Sequence, residues 1–255
     1  MHRRLLLVAS LAAAALVVPS AAHGATLERY DGVPKTLLLT GAPDETNLIS
    51  VEGSRRVTIS DLNMPLELGR ADGCKQLDSR TIRCSSVQQV WLDLNDGADV
   101  ASISTPREVW ISGGAGNDRY NALAGERPSQ VEFDGGFGDD VANYHYATEG
   151  VIVGVDGAPW DGRPRDNDRI DREVETVIGT PYADVLIGTQ REQRLLGQDG
   201  DDHLAGGEHE DVLMGGPGND RIDARDGELD TIDCGGWQFD QALTDPVEAS
   251  IVGCG

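Results

Sequence analysis

Aromatic residues make up only 5% of the 255-residue chain, and histidine (5) and cysteine (4) are scarcer still. So few large rings disfavour an ordinary core packed from bulky side chains. Few histidines and cysteines leave little equipment for nucleophilic or zinc chemistry, and neither H-E-x-x-H nor G-x-S-x-G occurs. Positive charge is also short: 21 Lys+Arg face 44 Asp+Glu, a net charge of -23. Phosphates would be repelled at every approach, which excludes nucleic acid and anionic membrane surfaces as electrostatically attracted partners. After the first two dozen residues no apolar run nears the roughly 18 residues needed to span a bilayer, so membrane insertion is not expected.

What is abundant is acid and glycine, the latter at 32 residues. A divalent cation is the natural counterion. The N-terminus reads as a leader: Arg3 and Arg4, an apolar stretch Leu5 to Val18, then small residues around Ala22 and Gly24 where signal peptidase would cut. The paired arginines fit a twin-arginine signal less well. A secreted, extracellular product follows, and its four cysteines are expected to form two local bridges, Cys74 with Cys84 and Cys234 with Cys254.

Internal repetition dominates the rest. From Gly179 the chain reads in nines: GTPYADVLI, GTQREQRLL, GQDGDDHLA, GGEHEDVLM, GGPGNDRID. Position 1 is always Gly. Position 6 is Asp184, Gln193, Asp202, Asp211 and Asp220, and position 8 is Leu186, Leu195, Leu204, Leu213 and Ile222. The register then slips by ten to Asp230 and Ile232, and again to Asp240. Upstream, GGAGNDRYN (Gly113 to Asn121) and GGFGDDVAN (Gly135 to Asn143) are further full matches.

Glycines 114, 116, 136, 138, 200, 216 and 218 let tight turns take positive φ and present carbonyl oxygens. Calcium, a hard ion, takes six to eight oxygens, so such carbonyls with an Asp carboxylate make a suitable cage. Gly114, Gly116, Gly136, Gly138, Gly200, Gly216 and Gly218, with Asp99, Asp118, Asp140, Asp184, Asp202, Asp211, Asp220 and Asp230, are the expected calcium-binding residues. Asp184 has Tyr182 where the turn glycine belongs, and the turns of Asp202 and Asp220 are the best formed.

The pattern G-G-x-G-x-D-x-U-x resembles the hemolysin-type calcium-binding (RTX) repeat, and the chain looks most like small exported actinobacterial members. The resemblance implies an all-β fold, a right-handed parallel β-roll or β-helix in which each nonapeptide makes half a coil. Asp184, Asp202 and Asp220 would then form one ladder, and Gln193, Asp211 and Asp230 another whose first rung lacks a carboxylate. Asp99, Asp118 and Asp140, spaced by 19 and 22, are expected to form a further, separate ladder. The family's toxins leave through an uncleaved C-terminal signal, whereas an N-terminal one is expected here.

The expected organisation is a leader over 1–24, an N-terminal β cap or first coils over 25–93, and a first repeat block with linker coils over 94–178. A second repeat block over 179–233 and a disulfide-closed C-terminal cap over 234–255, plugged by Trp237 and Phe239, complete it. In the cap, strands are expected at 35–39, 47–51, 57–60 and 87–94. The function expected is calcium binding by a monomeric structural or binding module that folds on calcium. Two other readings stand beside it. One is a calcium-assisted polysaccharide lyase or epimerase using Tyr144 or His145. The other is a surface adhesion or scaffold protein with a cell-surface or glycan partner. The four tryptophans are expected to be buried rather than to stack on a ligand.

Overall fold

A computed structural model describes residues 24–30, 35–125, 130–236, 239–247 and 250–254. The leader therefore lies outside the described residues, as does Trp237, and what is described is all strand and turn. Short strands are wound into coils, and parallel pairing joins each coil to the next. In the second repeat block the register advances by eighteen: Leu186 pairs with Leu204 and Leu204 with Ile222, while Leu195 pairs with Leu213. Each nonapeptide is thus half a coil. Its position-8 side chain points inward and is fully buried, each worth about 1.5–3 kcal/mol against solvent exposure.

Three sheets build the walls. A twelve-stranded sheet runs the whole length, from Cys74–Asp78 at one edge to Ser250–Val252 at the other. A seven-stranded sheet faces it over the first half and ends at Arg169–Ile170. A five-stranded sheet, Ile152–Gly154 to Gln241–Thr244, takes over along the second half. The segment after Asn143 is where one wall is exchanged for the other.

The N-terminal end is antiparallel. Leu48–Glu52 pairs with Arg56–Asp61, which pairs with Thr81–Ser85, itself hairpinned to Cys74–Asp78. Hairpins interrupt the parallel progression there, and their Val57, Ile59 and Ile82 belong to the buried core. Cys74–Cys84 ties the last hairpin and Cys234–Cys254 ties the other terminus, the pairing expected from sequence.

The C-terminal end departs from expectation. Phe239 is 72% exposed rather than the expected plug, and Ile251, in register with the buried Ile232, is 48% exposed because its strand is the edge of the long sheet among the described residues. The tryptophans also differ from the expected burial: Trp160 is 76% exposed. Trp91 and Trp110 are half-buried on the outer face of the seven-stranded sheet, stacked at 4.8 Å with an interplanar angle of 5°. Alternation explains this, since their neighbours Val90, Leu92, Val109 and Ile111 point inward.

Candidate metal centres along two carboxylate ladders

The turns are built by close approach between coils. A Cβ on Gly116 would lie 1.6 Å from the carbonyl oxygen of Gly97, and one on Gly138 1.7 Å from that of Gly116. Gly218 and Gly200 repeat the relation at 1.5 Å, and Gly216 meets the carbonyl of Gln198 at 2.0 Å. Gly114, Gly116, Gly136, Gly138, Gly200 and Gly216 all have positive φ. Only glycine satisfies both conditions. At position 1 the conflict is with the aspartate itself: a Cβ on Gly113, Gly135, Gly197, Gly206 or Gly215 would meet Oδ2 of Asp118, Asp140, Asp202, Asp211 or Asp220 at 2.2–2.4 Å.

Each aspartate therefore folds back over its own turn, and its Oδ1 reaches the preceding coil. On the five-stranded sheet the amides of Val151, Asp184 and Asp202 donate to Oδ1 of Asp184, Asp202 and Asp220, each at 2.8 Å. Asp220 donates in turn to Asp240 at 2.9 Å. On the long sheet the amides of Asn47, Asp99 and Asp118 donate to Asp99, Asp118 and Asp140 at 2.6, 2.8 and 2.7 Å. The Asp140 amide donates to Oε2 of Glu175 at 2.8 Å, and Gln193 and Asp211 donate to Asp211 and Asp230 at 2.7 and 2.8 Å.

The separate ladder expected for Asp99, Asp118 and Asp140 does not exist as such. All three precede strands of the sheet that also carries Gln193, Asp211 and Asp230, and Glu175 joins the two runs. Thr176 pairs with both Val141 and Arg194, so Glu175 stands between Asp140 and Gln193. Sequence reasoning missed Glu175 because no glycine turn precedes it. Its one signal is the apolar T-V-I that follows, matching D-V-L-I.

Six of these buried carboxylates have one oxygen without a protein donor. Oδ2 of Asp99, Asp118, Asp140, Asp202, Asp211 and Asp220 is buried without a hydrogen bond. Burial pushes the Asp140, Asp202 and Asp211 carboxyls up to about 7 and those of Asp99 and Asp220 to about 6, with adjacent rungs adding to the effect. Asp118 is raised by the same burial. Asp184 differs: its Oδ2 accepts from the Thr180 amide and its Oδ1 from the Thr180 hydroxyl, so the protein itself satisfies both oxygens.

Among the described residues no three His, Cys, Asp or Glu side chains converge on one point. A turn offering one carboxylate oxygen and several carbonyls is the alternative, and it suits a hard cation that accepts many oxygens. The orphaned Oδ2 atoms fit that group.

The RTX calcium-binding nonapeptide repeat, four copies long, matches residues 109–126, 178–208 and 187–222. These are hemolysin-type calcium-binding repeats. The matches take in the turns of Asp118, Asp184, Asp202, Asp211 and Asp220. The RTX turn Gly135 to Asp140 lies outside them but repeats their geometry. No curated protein matches the chain.

Tyr144, the residue singled out for a polysaccharide-acting enzyme, is fully buried, with its hydroxyl 3.2 Å from Oδ2 of Asp168. The neighbouring His145 and Tyr146 are exposed and packed edge to face.

Proposed function

We propose that the chain is an extracellular calcium-binding module whose RTX coils close on calcium after export. The reading is carried by one observation: in the rows of buried aspartates, Asp99, Asp118, Asp140, Asp202, Asp211 and Asp220 have Oδ1 engaged by the neighbouring coil and Oδ2 left without a donor. Asp99, Asp118, Asp140, Asp202, Asp211 and Asp220 would hold the ions with carbonyls of the turns at Gly114, Gly116, Gly136, Gly138, Gly200, Gly216 and Gly218, joined by Asp184 and Asp230 as their turns allow. Calcium supplies positive charge that a carboxylate ladder lacks. Unpaired rungs stacked roughly 4.8 Å apart repel by about 3 kcal/mol at an effective dielectric near 20, against a domain stability of about 5 to 15 kcal/mol. An ion that binds only the wound state stabilises it by mass action. Extracellular modules bind calcium at about 10⁻⁴ to 10⁻³ M, so the chain would stay loose in a calcium-poor cytoplasm and fold outside.

Circular dichroism tests this. A β signal that appears in millimolar calcium and is lost in chelator supports the reading. The same signal in both refutes calcium-driven folding, and calorimetry showing no calcium uptake refutes the module.

A further inference from the structure

The N-terminal hairpins bring two side chains that belong to no repeat, Asn47 and Asp61, up to the ladder's Asp99. Asp99, Asn47 and Asp61 are each fully buried. They lie on neighbouring strands of the long sheet: Leu48 pairs with Val100 on one side, and Ile49 with Asp61 on the other. Ile49 and Ala101 are core residues of those strands, so side chains at 47, 61 and 99 enter the interior at the same end of the sheet.

Two consecutive amides hold the carboxylates in place. The Asn47 backbone amide donates to Oδ1 of Asp99 at 2.6 Å, as does the Asn47 side-chain Nδ2 at 3.2 Å, and the Leu48 amide donates to Oδ1 of Asp61 at 3.2 Å. Asp61 Oδ1 also accepts from the amides of Asn63 and Met64 at 2.8 and 3.0 Å. Every donor thus falls on one oxygen of each carboxylate. Oδ2 of Asp61, Oδ2 of Asp99 and Oδ1 of Asn47 are all buried without a hydrogen bond. Among the described residues neither carboxylate belongs to an ion pair.

Three acceptor-only oxygens, two of them anionic, cannot satisfy one another. Burying a carboxylate without a counter-charge is costly, and the usual resolutions are a proton or a cation. We propose that Asp61 and Asn47 join the ladder's Asp99 in a further hard-cation site, best suited to calcium, where the N-terminal hairpins meet the first coil. Hard oxygen donors, one of them a neutral amide, match calcium chemistry. The rest of the shell falls to backbone carbonyls and water. The site would pin the antiparallel hairpins to the first coil; it shares Asp99 with the ladder, while Asn47 and Asp61 belong to no repeat turn.

The test counts ions on the whole chain by native mass spectrometry in calcium and follows melting in calcium and in chelator. Asp61→Asn should bind one ion fewer than the parent. Its melting temperature should fall in calcium yet stay level or rise in chelator, where a buried charge has been removed. Asn47→Ala, which keeps both carboxylates, should weaken the same ion at least tenfold and decides the matter if Asp61→Asn fails to fold. An unchanged ion count and affinity in the folded variants, or an equal melting shift with and without calcium, overturns the site. Asp202→Ala/Asp220→Ala is the separate control. If it alone fails to lose ions, the repeat reading fails while this one survives.

Discussion

The amide of Asp202 donates to Oδ1 of Asp220 one coil further on, at 2.8 Å, while Oδ2 of Asp220 folds back over its own turn with no donor. One carboxylate thus does two jobs: one oxygen stitches coils and the other is held ready for a cation. The relation recurs at Asp118 with Asp140 and at Gln193 with Asp211.

Asp202→Asn separates those jobs, because asparagine keeps an oxygen for the Asp184 amide and loses the charge. Repulsion from Asp184 and Asp220 raises the Asp202 carboxyl, after burial. In chelator the variant should therefore be more stable, by about 1–3 kcal/mol. In millimolar calcium it should be less stable, with at least one ion lost. Urea denaturation under both conditions reads the sign, and destabilisation of equal size in both would remove the role assigned to the charge.

Much of this was legible in the sequence, because all five nonapeptides from Gly179 open on glycine and four of them carry Asp at position 6. The continuity of the long ladder was not. It depends on which wall the chain rejoins after the segment following Asn143, and Glu175 arrives there without a turn to announce it. Asn47 is 52 residues from Asp99 because two hairpins intervene, so no period connects them. Phe239 looked like a plug by residue type alone, and residue type does not report that the side chain is 72% exposed.

The turn glycines divide into two grades. Gly116 combines φ of 139° with a Cβ position 1.6 Å from the Gly97 carbonyl oxygen, whereas Gly227, with φ of 93°, has nothing within 4 Å. Gly227→Ala should cost only the left-handed backbone term of about 1–2 kcal/mol. Gly116→Ala must also push two coils apart and should cost more than about 3 kcal/mol. Denaturation midpoints in calcium compare them, and equal costs would mean that close approach between coils is not what glycine serves.

Gln193 is the rung without a carboxylate. Its Oε1 accepts from the Thr189 amide at 2.9 Å, while its Nε2 is buried with no acceptor. Gln193→Asp removes that orphan and places a carboxylate between Glu175 and Asp211. The variant should take up one more calcium ion than the parent and be less stable in chelator. Native mass spectrometry in calcium gives the count, and an unchanged number would show that the carboxylate is not what limits this turn.

Away from the ladders, Asp168 is buried, with Oδ1 accepting from the Val131 amide at 2.8 Å and Oδ2 from the Tyr144 hydroxyl; Asp166 and Arg163 lie nearby. Burial raises its carboxyl to about 7 from an ordinary 3.8. Between those values the folded chain binds more protons than the unfolded one, so this group's contribution to stability falls as pH rises through that window. The slope is at most about 1.4 kcal/mol per pH unit. Asp168→Asn imitates the protonated acid and should flatten this part of the profile, matching the parent near pH 4 and exceeding it in stability above pH 7. Melting curves of both proteins from pH 4 to 8, compared as a difference so that the ladder aspartates cancel, check it. A difference that does not change with pH would mean that Asp168 is ionised throughout and that the Tyr144 hydroxyl donates to a carboxylate across the whole range.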